Sequence, residues 1–181
     1  MDDIAERAGV SKPVLYQHFS SKLDLYLAIL DIGAGQLAGR LKDALNSSRS
    51  NPQRVSAAVT AYFHFVDDSA EAFRLLFETD LGNEILVRER IEQADSECAA
   101  LLREAISEDT GLDDAESTLL AFGLIGMAQR SARRWLRGEE TIDRDRAAQL
   151  ISQMGWRGIS SFPRNLDATV APAPDLRKVS K

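Results

Sequence analysis

Lys12, Pro13, Val14, Tyr16, Gln17 and His18 fall within seven consecutive positions, and Lys22 follows soon after. If this stretch is a helix with Leu15 and Phe19 turned inward, the rest face out. They then present donors, acceptors and an apolar tip together. Base edges in a DNA major groove are read by that mixture, because each base pair there shows its own pattern of donors, acceptors and methyl groups. From Arg7 to Lys22 the charged side chains are Arg7, Lys12 and Lys22, with no acid among them. A segment of that kind can meet phosphates although the whole chain carries a net charge of −6. Taken singly, these residues say little: Tyr16 and His18 would be ordinary half-buried helix residues, and Lys12 and Lys22 solvated surface.

Other chemistries find less support. There is no Ser/His/Asp order for nucleophilic catalysis, no glycine-rich phosphate loop and no His/Cys metal spacing. His18 and His64 are the only histidines, which leaves few general bases. His64 reads as a partly exposed helix residue. Cys98 is the only cysteine, lies on an apolar stripe, and reads as inert core in a reducing compartment. No stretch has the length and apolarity of a membrane span, and the start, MDDIAERAG, is unlike a secretion signal. The sequence therefore predicts a cytoplasmic protein with no cofactor and no bound metal.

The elements that must position the Lys12–Lys22 group are helical. Apolar residues recur at spacings of three and four, and sustained alternation is absent. Residues 2–8 form a short helix stopped by Gly9. Ser11 and Pro13 suit the first turn of the next helix, which runs to about Phe19 with Val10, Leu15 and Phe19 inward. Ser21 caps a long helix to about Asn46, striped by Leu25, Ile29, Ile32, Leu37, Leu41 and Leu45. Asn51 and Pro52 restart the chain as N-cap and first helical residue. Val55, Val59, Tyr62, Phe63 and Val66 follow as an inward stripe. A short helix with Phe73, Leu76 and Phe77 inward comes next. A longer one follows, striped by Val87, Ile91, Ala94, Cys98, Leu101, Leu102 and Ala105. SEDTGLDD reads as a loop. Residues 119–128 have no polar side chain, and a helix apolar all round is buried on most sides. The last helix starts at Thr141 or Asp143 and carries Ala147, Leu150, Ile151, Met154, Gly155, Gly158 and Ile159. From Pro163 a Pro-, Ala- and Lys-containing tail is expected to be disordered.

The segment AERAGVSKPVLYQHFSSKLDLYLAIL resembles the helix-turn-helix of TetR-type regulators. The Ala-Gly-Val-Ser, the Leu-Tyr-x-His-Phe and the Ser-Lys-x-Asp-Leu stand in that family's order and spacing. The resemblance implies an all-α fold: a helix-turn-helix domain with its connecting helix (1–46), a helical ligand-binding and dimerisation domain (47–162), and a flexible tail (163–181). It implies that Lys12, Val14 and Gln17 face bases, that Tyr16, His18 and Lys22 meet phosphates, and that Pro13 and Val14 touch thymine methyls. In that family a further helix precedes the motif and completes the DNA-binding unit; here Met1-Asp2-Asp3 stands where the second helix begins. Without that partner for Ala5, Leu15, Phe19 and Leu25, the unit is expected to be loose or inactive.

For the rest of the chain, the helices near 114–137 and 143–161 are expected to pair with their symmetry mates. The small residues Gly123, Gly126, Ala128, Ala147, Gly155 and Gly158 permit close approach. Phe122, Arg130, Leu150, Ile151 and Met154 complete the expected interface. A two-fold dimer would set two recognition helices on successive major grooves of a palindrome. A largely apolar effector pocket is expected among Tyr62, Phe63, Phe73, Phe77, Cys98, Leu102, Phe122 and Met127, although such a stripe is also what a plain core looks like. The leading expectation is thus a homodimeric transcriptional repressor, released from double-stranded operator DNA by a lipophilic small molecule. The alternatives are a helical dimer that binds a ligand or protein but no DNA, and a small helical enzyme.

Overall fold

A computed structural model describes residues 1–47, 50–70, 84–138 and 141–159, and no strand occurs among them. Seven helices carry these segments: α1 (Asp2–Arg7), α2 (Lys12–His18), α3 (Lys22–Asn46), α4 (Asn51–Asp68), α5 (Ile85–Thr110), α6 (Asp114–Leu136) and α7 (Arg144–Ile159). Phe73, Leu76, Phe77 and the tail from Pro163 lie outside the described residues.

Local chemistry sets the helix ends. After α1 the chain reverses at Gly9, whose φ is +67°. The Gly9 N–H donates to the Glu6 carbonyl at 3.1 Å and the Val10 N–H to the Ala5 carbonyl at 3.0 Å. Those bonds satisfy carbonyls that the end of a helix leaves open. At the start of α3 the Ser21 hydroxyl accepts from the Asp24 N–H at 3.0 Å. A reciprocal capping box opens α6: Asp113 accepts from the Glu116 N–H at 2.9 Å, and Glu116 from the Asp113 N–H at 3.1 Å. Asp143, of the two candidates, caps α7, accepting from the Arg146 N–H at 2.8 Å.

Two boundaries differ from expectation. Ser50 is the N-cap of α4 and Asn51 already helical. SEDT is not a loop but the last turn of α5, which ends where Gly111 turns left-handed at φ +71°. The polar run misleads because only one side of that turn is wet: Ile106 and Thr110 are buried, while Glu108 is exposed.

Around α4 the bundle has two main cores. Val59, Tyr62, Phe63, Phe65 and Val66 meet Ala128 and Ala132 of α6 and Ala147 and Ala148 of α7. Leu41 and Leu45 of α3 meet Ala58, Cys98, Ala99, Ala105 and Ile106 with Ala121 and Ile125 of α6. A third contact sets Tyr26 and Leu30 of α3 on Val87 of α5. The first half of α3 therefore buries Tyr26 and Leu30, not the expected Leu25, Ile29 and Ile32; Ile32 is exposed. Leu25, Leu27, Ile29, Leu30 and Ile32 surround that part of the helix with apolar groups, so spacing alone does not choose a face. α6 also departs from expectation. Ala121, Ile125 and Ala128 are buried, but Leu119 is 74% exposed and Phe122 42% exposed.

Candidate nucleic-acid interface and ligand cavity

α1 and α2 pack on each other through the Gly9 turn. Ala5 and Leu15 are buried, and Phe19 and Leu25 half-buried. Val10 is exposed rather than inward, because no described element covers that side of the turn. Pro13 sits in the first turn of α2, where its missing N–H costs no helix bond. Lys12, Pro13, Val14, Tyr16, Gln17, His18 and Lys22 are all exposed. Lys12 is not idle: its Nζ lies 2.8 Å from Asp2 Oδ1. The hydrogen bond and the charge of Lys12 hold the Asp2 carboxyl below its ordinary range, and Asp2 raises Lys12 in turn. Both groups are open to water, so the pair is easily exchanged for a phosphate.

The expected pocket residues do not gather in one place. Beneath the second half of α3 lies an apolar cavity enclosing about 50 Å³, lined by residues of α3, α4, α5 and α6. Tyr62 and Leu102 reach it, but Phe63, Cys98, Phe122 and Met127 do not. Phe63 is fully buried against α6 and α7, with its ring 6.1 Å from that of Trp135. Cys98 is buried in the second core, where loss of solvation pushes its thiol up to about 12. Phe122 is on the surface. Met127 reaches toward Gly155 of α7, where a Cβ would meet the side-chain ends of Leu124 and Met127 at 3.1 Å, a tight contact that both would have to ease.

The lining residues that sequence reasoning missed are Leu41, Leu45, Arg54, Val55, Ala58, Val59, Ala105, Ile106, Asp109, Leu124, Ile125 and Ala128. Spacing marks most of them as inward, but nothing in spacing separates a cavity wall from a filled core. Arg54 is the one cation among them. Its Nε donates to the Leu45 carbonyl at 3.2 Å, and its Nη1 lies 3.3 Å from Glu108 and 3.9 Å from Asp109. Tyr62 also walls a second small cavity with Leu30, Leu37, Phe65, Asp95 and Gln129. Burial raises the Asp95 carboxyl there, while a hydrogen bond from Gln129 opposes it. Burial likewise keeps the Tyr62 phenol protonated.

The residues expected at a dimer interface divide. Phe122, Gly123, Gly126, Arg130, Leu150, Met154 and Gly158 are exposed on α6 and α7. Ala147 is buried against α4, and Ile151 is half-buried on the same core. Ala128 and Gly155 are spent on packing within the protomer. The reason is that α7 packs on both α4 and α6, so Ala147 and Gly155 are used in contacts within the chain. His64 lies 3.3 Å from Asp145 at the α4–α7 surface. No described residues group as a metal site, and no described helix is long and apolar enough to cross a membrane.

Residues 1–29 match the sequence model of the bacterial regulatory proteins of the tetR family. The HTH-type transcriptional activator FasR of Mycolicibacterium smegmatis is 42% identical over 163 residues, covering 90% of this chain and 74% of that protein. Among solved structures, the fatty acid degradation regulator FadR of Bacillus halodurans superposes with a TM-score of 0.73 at 17% identity, covering 87% of each chain. FadR of Bacillus subtilis, solved in complex with stearoyl-CoA, superposes with a TM-score of 0.71 at 16% identity over 84% of each. These relatives are transcriptional regulators, not enzymes. With a helix-turn-helix at its start, an all-helical bundle behind it and that degree of identity along most of its length, the chain belongs to the tetR family of bacterial transcriptional regulators.

Proposed function

We propose that the protein is a homodimeric, effector-gated regulator whose α2 enters the major groove of a palindromic DNA site. The observation that carries this reading is the joint exposure of Lys12, Val14, Tyr16, Gln17, His18 and Lys22 around one short helix. Lys12, Val14 and Gln17 read bases, with Pro13 beside them on thymine methyls; Tyr16, His18 and Lys22 hold phosphates and fix the register. The exposed apolar face of α6 and α7, from Leu119 and Phe122 to Leu150 and Met154, supports a second copy as its cover. Such a face is costly to leave in water and is suited to a two-fold mate.

α3 joins the two functions. It begins at Lys22, beside the DNA-reading helix, and its Leu41 and Leu45 form part of the cavity wall. The cavity is far smaller than the roughly 300 Å³ or more that a drug-sized ligand occupies. An apolar effector therefore has to favour a conformer in which the helices part, and that shift moves α3 and the helix pair it carries. The stearoyl-CoA of the Bacillus subtilis neighbour supports an acyl chain as such an effector. Release from DNA serves repression and activation alike. The sequence pointed to repression; the Mycolicibacterium smegmatis relative is named an activator, and that favours activation here.

Selection of bound duplexes from a randomised library tests the reading. An inverted repeat should emerge, with affinity falling steeply as salt rises. Failure to enrich any sequence, or enrichment of a single unrepeated half-site, overturns it.

A further inference from the structure

We propose that α3 is a hinged link rather than a stiff rod, and that it bends within residues 33–39. The hinge deepens the regulator reading above, on which its purpose rests: it says where the connection between α2 and the cavity gives way. Its warrant is the presence of Gly33, Gly35 and Gly39 in the interior of a 25-residue helix. A glycine inside a helix weakens it by about fivefold relative to alanine, because its backbone has more freedom to lose. The usual reasons for accepting that cost are missing. None of the three has a positive φ. At Gly35 and Gly39 a Cβ would meet no atom within 4 Å, so no neighbour demands close approach. Gly33, Ala34 and Leu37 line the second cavity, so the inner side of this stretch rests partly on a hollow.

On either side of the glycines α3 is fastened. Toward the DNA face, Tyr26 and Leu30 are buried on Val87, and Arg90 Nη1 donates to both carboxylate oxygens of Asp31 at 2.9 Å. Past the glycines, Arg40 lies 2.7 Å from Asp68 and sits over the Phe65 ring, and Leu41 and Leu45 enter the second core. Two anchored halves joined by a weak stretch bend at that stretch. The anchor toward the DNA face is the lighter one, because Asp31 and Arg90 are both well exposed and such a pair holds little. The Lys22 end of the helix lies about 16 Å from Gly33 along the axis, so a bend of about 10° moves it by roughly 3 Å. That is close to one base-pair step along DNA. Bending at the glycines therefore lets each recognition helix of a dimer shift by about the distance that separates neighbouring positions on the duplex.

Amide hydrogen exchange of the full-length protein, followed by NMR, tests the hinge. The amides of Leu37, Ala38, Gly39 and Arg40 bond the carbonyls of Gly33, Ala34, Gly35 and Gln36 across the weak stretch. They should exchange faster than the amides of residues 26–30 and 41–45. Gly35→Ala with Gly39→Ala places methyl groups in open space, so the fold is kept. The double variant should slow those four amides about twentyfold, two steps of about fivefold, and leave α5, α6 and α7 unchanged. One base pair inserted at the centre of the selected inverted repeat should then cost the variant about tenfold more affinity than it costs the wild type. The hinge is overturned if residues 37–40 are as well protected as both flanks. It is equally overturned if the stiffened variant tolerates the insertion as the wild type does, since the glycines would then weaken α3 without letting it bend. The exchange arm uses neither DNA nor effector. A protein that selects no duplex therefore loses the regulator reading, while the hinge still stands or falls on exchange.

Discussion

Single side chains around α2 divide into those that position and those that discriminate. Lys22 is exposed at the first turn of α3, and in the proposed complex it meets phosphate rather than a base. Lys22→Gln should weaken binding about equally for all sequences and lower the salt slope by roughly one phosphate. Affinities measured from low to moderate salt on matched and mismatched duplexes check this; a change in sequence preference would place Lys22 on a base instead. Lys12 carries a built-in competitor, since Asp2 holds its amine at 2.8 Å. Asp2→Asn should tighten DNA binding a few-fold at low salt and leave sequence preference alone. An unchanged affinity would mean that Lys12 does not leave Asp2 to meet DNA.

At the scale of elements, the α1–α2 turn is the tightest backbone requirement near the DNA face. Gly9 has φ +67° and open space around it, so a side chain there meets no atoms and the cost lies in the backbone alone. Gly9→Ala should cost about 1–2 kcal/mol, the penalty of holding an L residue left-handed. Faster amide exchange in α1 and α2, with α4–α6 unaffected, checks it. Uniformly faster exchange would show that the turn supports the whole bundle. α3 is the other element with two duties. At 25 residues it extends about 37 Å at the usual rise, long enough to run from beside α2 to the cavity wall.

For the whole molecule the decisive surface is the outer side of α6 and α7. Leu119, Phe122 and Met154 are large apolar groups left in water by the protomer, with Met154 55% exposed. Phe122→Glu with Met154→Glu should give a folded monomer, because neither side chain belongs to a buried core. Sedimentation should show half the mass and unchanged helicity. DNA affinity should fall by about tenfold or more, as two half-sites are no longer held together. A dimer that survives both changes would move the two-fold contact to another face.

The helices, their caps and the joint exposure of the Lys12–Lys22 group were legible in the sequence because their causes are local. Gly9, Ser21, Asp113 and Asp143 act within a turn of themselves, and the Lys12–Lys22 group needs only one short helix to be displayed. Tertiary packing decided which of several apolar faces turns inward. It chose Tyr26 and Leu30 over Ile29 and Ile32, used Ala147 and Gly155 inside the protomer, and left Phe122 outside. It also brought Leu45, Arg54 and Asp109 together from three helices to line the cavity. The physical reason is that helical spacing marks apolar positions without naming their partners. Burial, and any hollow left within it, arises only when distant helices come together.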